Sequence, residues 1–72
     1  MSDPASIPFT VNGSPKSAPP GGTILTLLES LGLAEVPVLV EHNKTALFPR
    51  EFPSTPLAAG DEIEIIRIVA GG

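Results

Sequence analysis

Residues Gly60 to Gly72 read GDEIEIIRIVAGG, and the alternation inside this stretch decides the fold. After the Gly60-Asp61 turn comes a β-rich run from Glu62 to Val69, four isoleucines and one valine interrupted by Glu64 and Arg67. Successive residues of a strand point to opposite sides, so Ile63, Ile65, Arg67 and Val69 share one face, and Glu62, Glu64, Ile66 and Ile68 the other. Ile63 and Ile65 are expected inward, because they sit well inside the strand and because Glu62 and Glu64 would otherwise be buried without partners. Ile66 and Ile68 are then left pointing out.

Upstream, Ile7, Phe9 and Val11 alternate with Pro8 and Thr10, and Asn12-Gly13 follows as the strongest short hairpin signal. The returning segment carries Pro15, Pro19 and Pro20, which cannot donate ladder hydrogen bonds, so it is expected as a short edge strand ending at Gly21-Gly22. Thr23 is placed to cap a helix whose Ile24, Leu27, Leu28 and Leu31 form one apolar stripe; about ten residues are expected, ending at Gly32. Val36, Val38 and Val40 mark a third strand, a turn at His42-Asn43-Lys44 leads to a short fourth over TALF, and PREFPSTPLAAGD is expected as an irregular crossing. A sheet with one helix on one face is the arrangement that buries both apolar surfaces. The fold class is therefore α+β, a β-grasp-like mixed sheet of four to five strands packed against one main helix. Residues 1–6 are expected as a disordered leader, 7–69 as the domain and 70–72 as a flexible tail.

Composition narrows the function. Seventy-two residues form a single domain, and the absence of cysteine removes disulfides, thiolate nucleophiles, cysteine-bound zinc and side-chain persulfides together. A net charge of −4 is the wrong sign for nucleic acid and the right one for a basic protein surface. The start, MSDPASIP, has no secretory pattern and no stretch is long and apolar enough for a membrane, so a cytoplasmic protein is expected. Gly21-Gly22-Thr23 lacks the lysine and spacing of a phosphate-binding loop. His42 stands without a second ligand and reads as a solvated turn residue. NGS at Asn12 and NKT at Asn43 read as turn sequences.

Two features remain. With Val38 and Val40 inward, Leu39 emerges beside Ile66 and Ile68 as an apolar patch rimmed by Glu41 and Glu64, and such patches mark interfaces. Arg67 follows the core positions close to the tail, and is expected either to meet an acidic partner or to extend into water. The second feature is Ala70-Gly71-Gly72, which lacks bulky side chains and can pass down a channel that larger residues would block. Attack of such a carboxylate on the α-phosphate of ATP would give an acyl adenylate, which a sulfur or nitrogen nucleophile can displace.

The element order, VNG at Val11–Gly13, the Thr23-initiated leucine helix, Pro49-Arg50, GDEIEII from Gly60 and the final Gly71-Gly72 together resemble the ThiS family, ubiquitin-like sulfur carriers of thiamine biosynthesis. The resemblance implies that a ThiF-like, E1-type enzyme adenylates Gly72 with ATP and magnesium. A sulfurtransferase or cysteine desulfurase system would then convert it to a thiocarboxylate, and a ThiG-like thiazole synthase would accept the sulfur. It also implies that the chain binds no cofactor or metal itself, is not an enzyme, is a monomer when free, and docks through Leu39, Glu64, Ile66, Arg67, Ile68 and Ala70. Two departures are a longer leader before Ile7 and Ala70 in place of a third glycine. The rival readings are the small subunit of molybdopterin synthase, with the same thiocarboxylate chemistry, a ubiquitin-like modifier, and a plain binding module. Arg50 is read either as a partner contact or as an anchor of the crossing segment.

Overall fold

In the computed structural model, which describes residues 5–69, two hairpins flank the long final strand. Strands β1 (Ile7–Val11) and β2 (Ser14–Ala18) pair antiparallel, with Val11 opposite Ser14. Their two-residue loop is Asn12-Gly13, both at positive φ (51° and 81°), the twist that a tight hairpin needs. Strands β3 (Val38–His42) and β4 (Thr45–Leu47) repeat the device with Asn43 and Lys44, at φ 52° and 71°. Strand β5 (Glu62–Arg67) lies between the hairpins, parallel to β1 and antiparallel to β3, giving a five-stranded sheet of order β2-β1-β5-β3-β4. The proline-bearing β2 is at an edge, as its missing donors require.

Helix α1 (Ile24–Ser30) closes one face of the sheet. Its start is fixed by a reciprocal pair: the Thr23 hydroxyl accepts from the Thr26 N–H, and the Thr26 hydroxyl accepts from the Thr23 N–H. At the other end Gly32, at φ 74°, lets its own N–H reach the Glu29 carbonyl and the Leu33 N–H reach the Leu28 carbonyl. The helix is seven residues rather than the expected ten, because Thr23 and Leu31 serve as caps outside it. Ile24, Leu27 and Leu28 pack with Phe9, Val11, Val38, Val40, Ile63 and Ile65 in the core, so the inward assignment of Ile63 and Ile65 holds.

Other boundaries shift. β3 begins at Val38 rather than Val36, and β5 ends at Arg67 rather than Val69. The crossing segment is more regular than its prolines suggest: Pro49–Ser54 is a 3-10 helix, with Pro49 where no N–H is needed and Phe52 turned into the core. The hydroxyls of Ser54 and Thr55 both donate to the Glu51 carbonyl, adding side-chain bonds to its last turn. The Ile24 N–H then donates to the Thr55 carbonyl, and the Leu57 N–H to the Gly22 carbonyl, tying the crossing to the head of α1. Residues 1–4 of the expected leader and the tail 70–72 lie outside the described residues.

Two side-chain clusters hold β5 in place. The Asn12 amide accepts from the Ile65 N–H at 2.8 Å and donates to the Ile65 carbonyl at 3.1 Å, acting as one more strand residue after β1 has ended. On the other side, the Asn43 side chain accepts from the Glu62 N–H and donates to Asp61 Oδ1. Asp61 is buried, and its Oδ2 also accepts from the Ala58 N–H and from His42 Nε2, each at 2.8 Å. His42 is thus no solvated turn residue. It is the half-buried last residue of β3, and because a carboxylate can only accept, its Nε2 carries the shared proton.

Burial acts to raise the Asp61 pKa, but hydrogen bonds from Asn43, His42 and the Ala58 N–H, in that order, outweigh it and hold the carboxyl below the ordinary aspartate range. A carboxyl depressed in the folded state stabilises above its unfolded pKa, and this contribution is lost as pH falls through the folded value. The melting-temperature gap between the native chain and Asp61→Asn is therefore expected to be largest near neutrality and to shrink below the ordinary aspartate pKa of about 3.9. A gap constant across pH 2 to 7 in a thermal series would contradict this assignment. Asn12→Gly, which keeps the positive φ and loses both bonds to Ile65, is expected to cost about 1–3 kcal/mol in urea unfolding. Asn12→Ala should cost roughly 1 kcal/mol more, from its strained backbone.

Candidate functional site

The face of the sheet away from α1 is organised in rows by strand register. Leu39 of β3 stands directly opposite Ile66 of β5, and they remain 59% and 58% exposed. One step along, Glu41 stands opposite Glu64, also exposed, so two carboxylates face each other across the strand pair. Like charges placed opposite one another destabilise a sheet, and neither makes an ion pair among the described residues. An apolar pair beside an acidic pair, both open to solvent, suits contact with a surface that is apolar with basic groups beside it.

The remaining residues expected to touch partners are distributed differently. Ile68 lies one pair beyond Leu39–Ile66, its N–H donating to the Pro37 carbonyl at 3.0 Å. It is half exposed and also borders a groove with Leu25, Leu28, Val36 and Phe52, so it forms the corner between the outer face and the helix side. Arg67 is on the other side of the sheet, beside Lys16, Asn12, Leu31 and Leu33 near the C-terminal end of α1. The structure therefore joins Leu39, Ile66 and Glu64 on one face and does not bring Arg67 to it. Ala70, Gly71 and Gly72 lie outside the described residues.

Two exposed apolar residues were missed by the sequence reading, Val69, 86% exposed beyond the end of β5, and Phe48. Phe48, just past β4, is 60% exposed, with the Arg50 guanidinium 4.7 Å from the centre of its ring. The signal was present in the parity of TALF, which sets Leu47 inward opposite Val40 and Phe48 outward. Of the two roles expected for Arg50, the anchoring of the crossing segment is not seen, since among the described residues its contact is the ring and no carbonyl. Among the described residues no group of acidic and histidine side chains is arranged to hold a metal, and no helix is long and apolar enough to cross a membrane.

The ThiS family model matches residues 9–72, nearly the whole chain and its final Gly-Gly. This chain belongs to the ThiS family. The sulfur carrier protein ThiS of Thermus thermophilus is 34% identical over 62 residues, covering 86% of this chain and 95% of that one. The crystal structure of the thiamine biosynthesis protein ThiS of Geobacter metallireducens matches with a TM-score of 0.75 and 31% identity, over 92% of this chain and all of that one. A thiazole synthase of Magnetococcus marinus is 36% identical over 62 residues, which are 86% of this chain but only 19% of that protein. With these ThiS relatives the β-grasp expectation stands, and the chain is a ThiS-type sulfur carrier of thiamine biosynthesis rather than a molybdopterin synthase subunit or a protein modifier.

Because the outer face contributes nothing to the core, Leu39→Ser combined with Ile66→Ser is expected to leave urea stability within about 0.5 kcal/mol of the native chain. Ile65→Ala, one residue away on the inner face, should cost about 2–5 kcal/mol. Comparable losses for both would mean that the outer residues are packed.

Proposed function

We propose that Gly72 is the residue on which sulfur is carried. Its carboxylate attacks the α-phosphate of ATP, pyrophosphate leaves, the terminal sulfur of a persulfide displaces AMP from the acyl adenylate, and a thiolate then cleaves the resulting acyl disulfide, leaving a thiocarboxylate and a disulfide. A partner of the E1 type supplies the ATP and magnesium sites, in the cytoplasm, and a sulfurtransferase or desulfurase supplies the sulfur. The observation that carries this reading is the family match running through Gly72 on a chain without cysteine, where no side chain offers persulfide chemistry. The chain itself is then a co-substrate and not a catalyst.

Within this reading the outer face is the docking surface and the residues after β5 are the arm that reaches the partner's active site. Leu39 and Ile66 supply the apolar centre, and Glu41 and Glu64 select basic surroundings. Ile68 at the corner of that face and Val69, both exposed, are the last apolar side chains before the arm. Thiazole synthase is the proposed acceptor, supported by the Magnetococcus marinus thiazole synthase, in which a stretch similar to this chain is part of the same polypeptide.

The full chain incubated with its host's E1-type enzyme, ATP, magnesium and a sulfur source is expected to gain the mass difference between sulfur and oxygen, located on Gly72 by fragmentation. Neither adenylate nor thiocarboxylate in intact-mass spectra would remove the proposal. Ile66→Glu, which places a third carboxylate beside Glu64 and Glu41, should stay folded by circular dichroism and lose partner binding by about tenfold or more.

A further inference from the structure

The chain has three phenylalanines, and two of them, Phe9 and Phe52, are in the core. In a domain with so little interior, an exposed third needs an explanation. Phe48 is also not loosely held. Its N–H donates to Glu51 Oε2 at 2.6 Å, its carbonyl accepts from the Glu51 N–H at 2.8 Å, and Arg50 stacks on its ring. Its backbone is still extended, at φ −80° and ψ 151°, one residue past the last β3–β4 pair, Val40–Leu47, so strand parity sets it on the outer side next to Leu39. The exposed apolar residues of the outer face are then the pair Ile66–Leu39 and, just past the end of β4, Phe48, beside the acidic pair Glu64–Glu41.

We propose that Phe48 and Arg50 form a preset anchor at the β4 edge of this face, which a partner protein takes into an apolar recess with a carboxylate at its rim. The proposal rests on the carrier reading and extends its docking surface to Phe48, giving Arg50 the partner-contact role that the sequence left open. Aromatic and arginine side chains fixed before contact lose little freedom on binding, which is what distinguishes strong interface positions from merely exposed ones. Arg50 makes no ion pair among the described residues, so its charge is available. The matching surface is thereby specified: basic groups opposite Glu41 and Glu64, an aliphatic or aromatic recess about one strand further, and an acidic group against Arg50. This alternation also fixes orientation, since turning the partner end for end would set Arg50 against its basic groups.

The test is calorimetric titration of the full chain with thiazole synthase from the same organism, at two salt concentrations. Phe48→Ala is expected to raise Kd about tenfold or more, and Arg50→Ala to raise it less while flattening the salt dependence, both with unchanged melting temperature. Phe48→Leu, which keeps an apolar side chain, should fall between, and Lys16→Ala, across the sheet, should match the native chain. Native-like Kd for Phe48→Ala and Arg50→Ala, with or without a shift in melting temperature, would overturn the anchor while leaving the carrier reading intact. So would a native chain that sediments as a dimer which Phe48→Ala dissociates, since the face would then be filled by a second copy. A native chain that neither binds nor acquires a thiocarboxylate would overturn both.

Discussion

The structure depends on satisfying one strand from both sides. β5 is the central strand of the sheet, so its N–H and C=O groups need partners in two directions at once. On the β3 side the antiparallel register supplies them from Glu62 to Ile68. On the other, β1 pairs only as far as Val11, and the Asn12 amide takes over at Ile65. The Asn43 amide does the corresponding work at Glu62. Each hairpin thus ends in an asparagine at positive φ whose side chain turns back onto the same strand, so the residue that shapes the turn also locks the register.

That register is what separates the two faces. A slip of one residue would send Ile63 and Ile65 to solvent and drive Glu62 and Glu64 into the helix. Holding β5 at Glu62 and Ile65 therefore fixes the core and the outer surface by the same bonds. Asp61 adds to the hold from below, because its carboxylate gathers the β3 end, the β3–β4 turn and the crossing segment at one buried point. A docking face made of side chains on neighbouring strands needs this accuracy, since Leu39 and Ile66 meet only while the register is kept.

Alternation and helical spacing were enough to read the fold, because both report which side chains are buried. Ile63, Ile65, Val38 and Val40 fell inward as their parity required, and Leu39 and Ile66 outward. What escaped the reading depended on partners distant in the chain. Nothing near His42 announces Asp61, nineteen positions away, and nothing near Asn12 announces Ile65. The 3-10 helix was hidden by its prolines, and the Ser54 and Thr55 hydroxyl bonds to the Glu51 carbonyl that support its last turn leave no periodicity to read. Phe48 was overlooked for a different reason: its short strand was judged by its turn signals and not by its two faces.

The arrangement of β5 between a parallel and an antiparallel neighbour has a mechanical side. A pull on the chain along the axis of β5 from its Val69 end does not peel the hydrogen bonds away one after another. The bonds to β1 and β3 run across the strand, so such a load falls on them together, in shear. The amides of Asn12 and Asn43 share it, and the domain behaves as a grip behind its own tail.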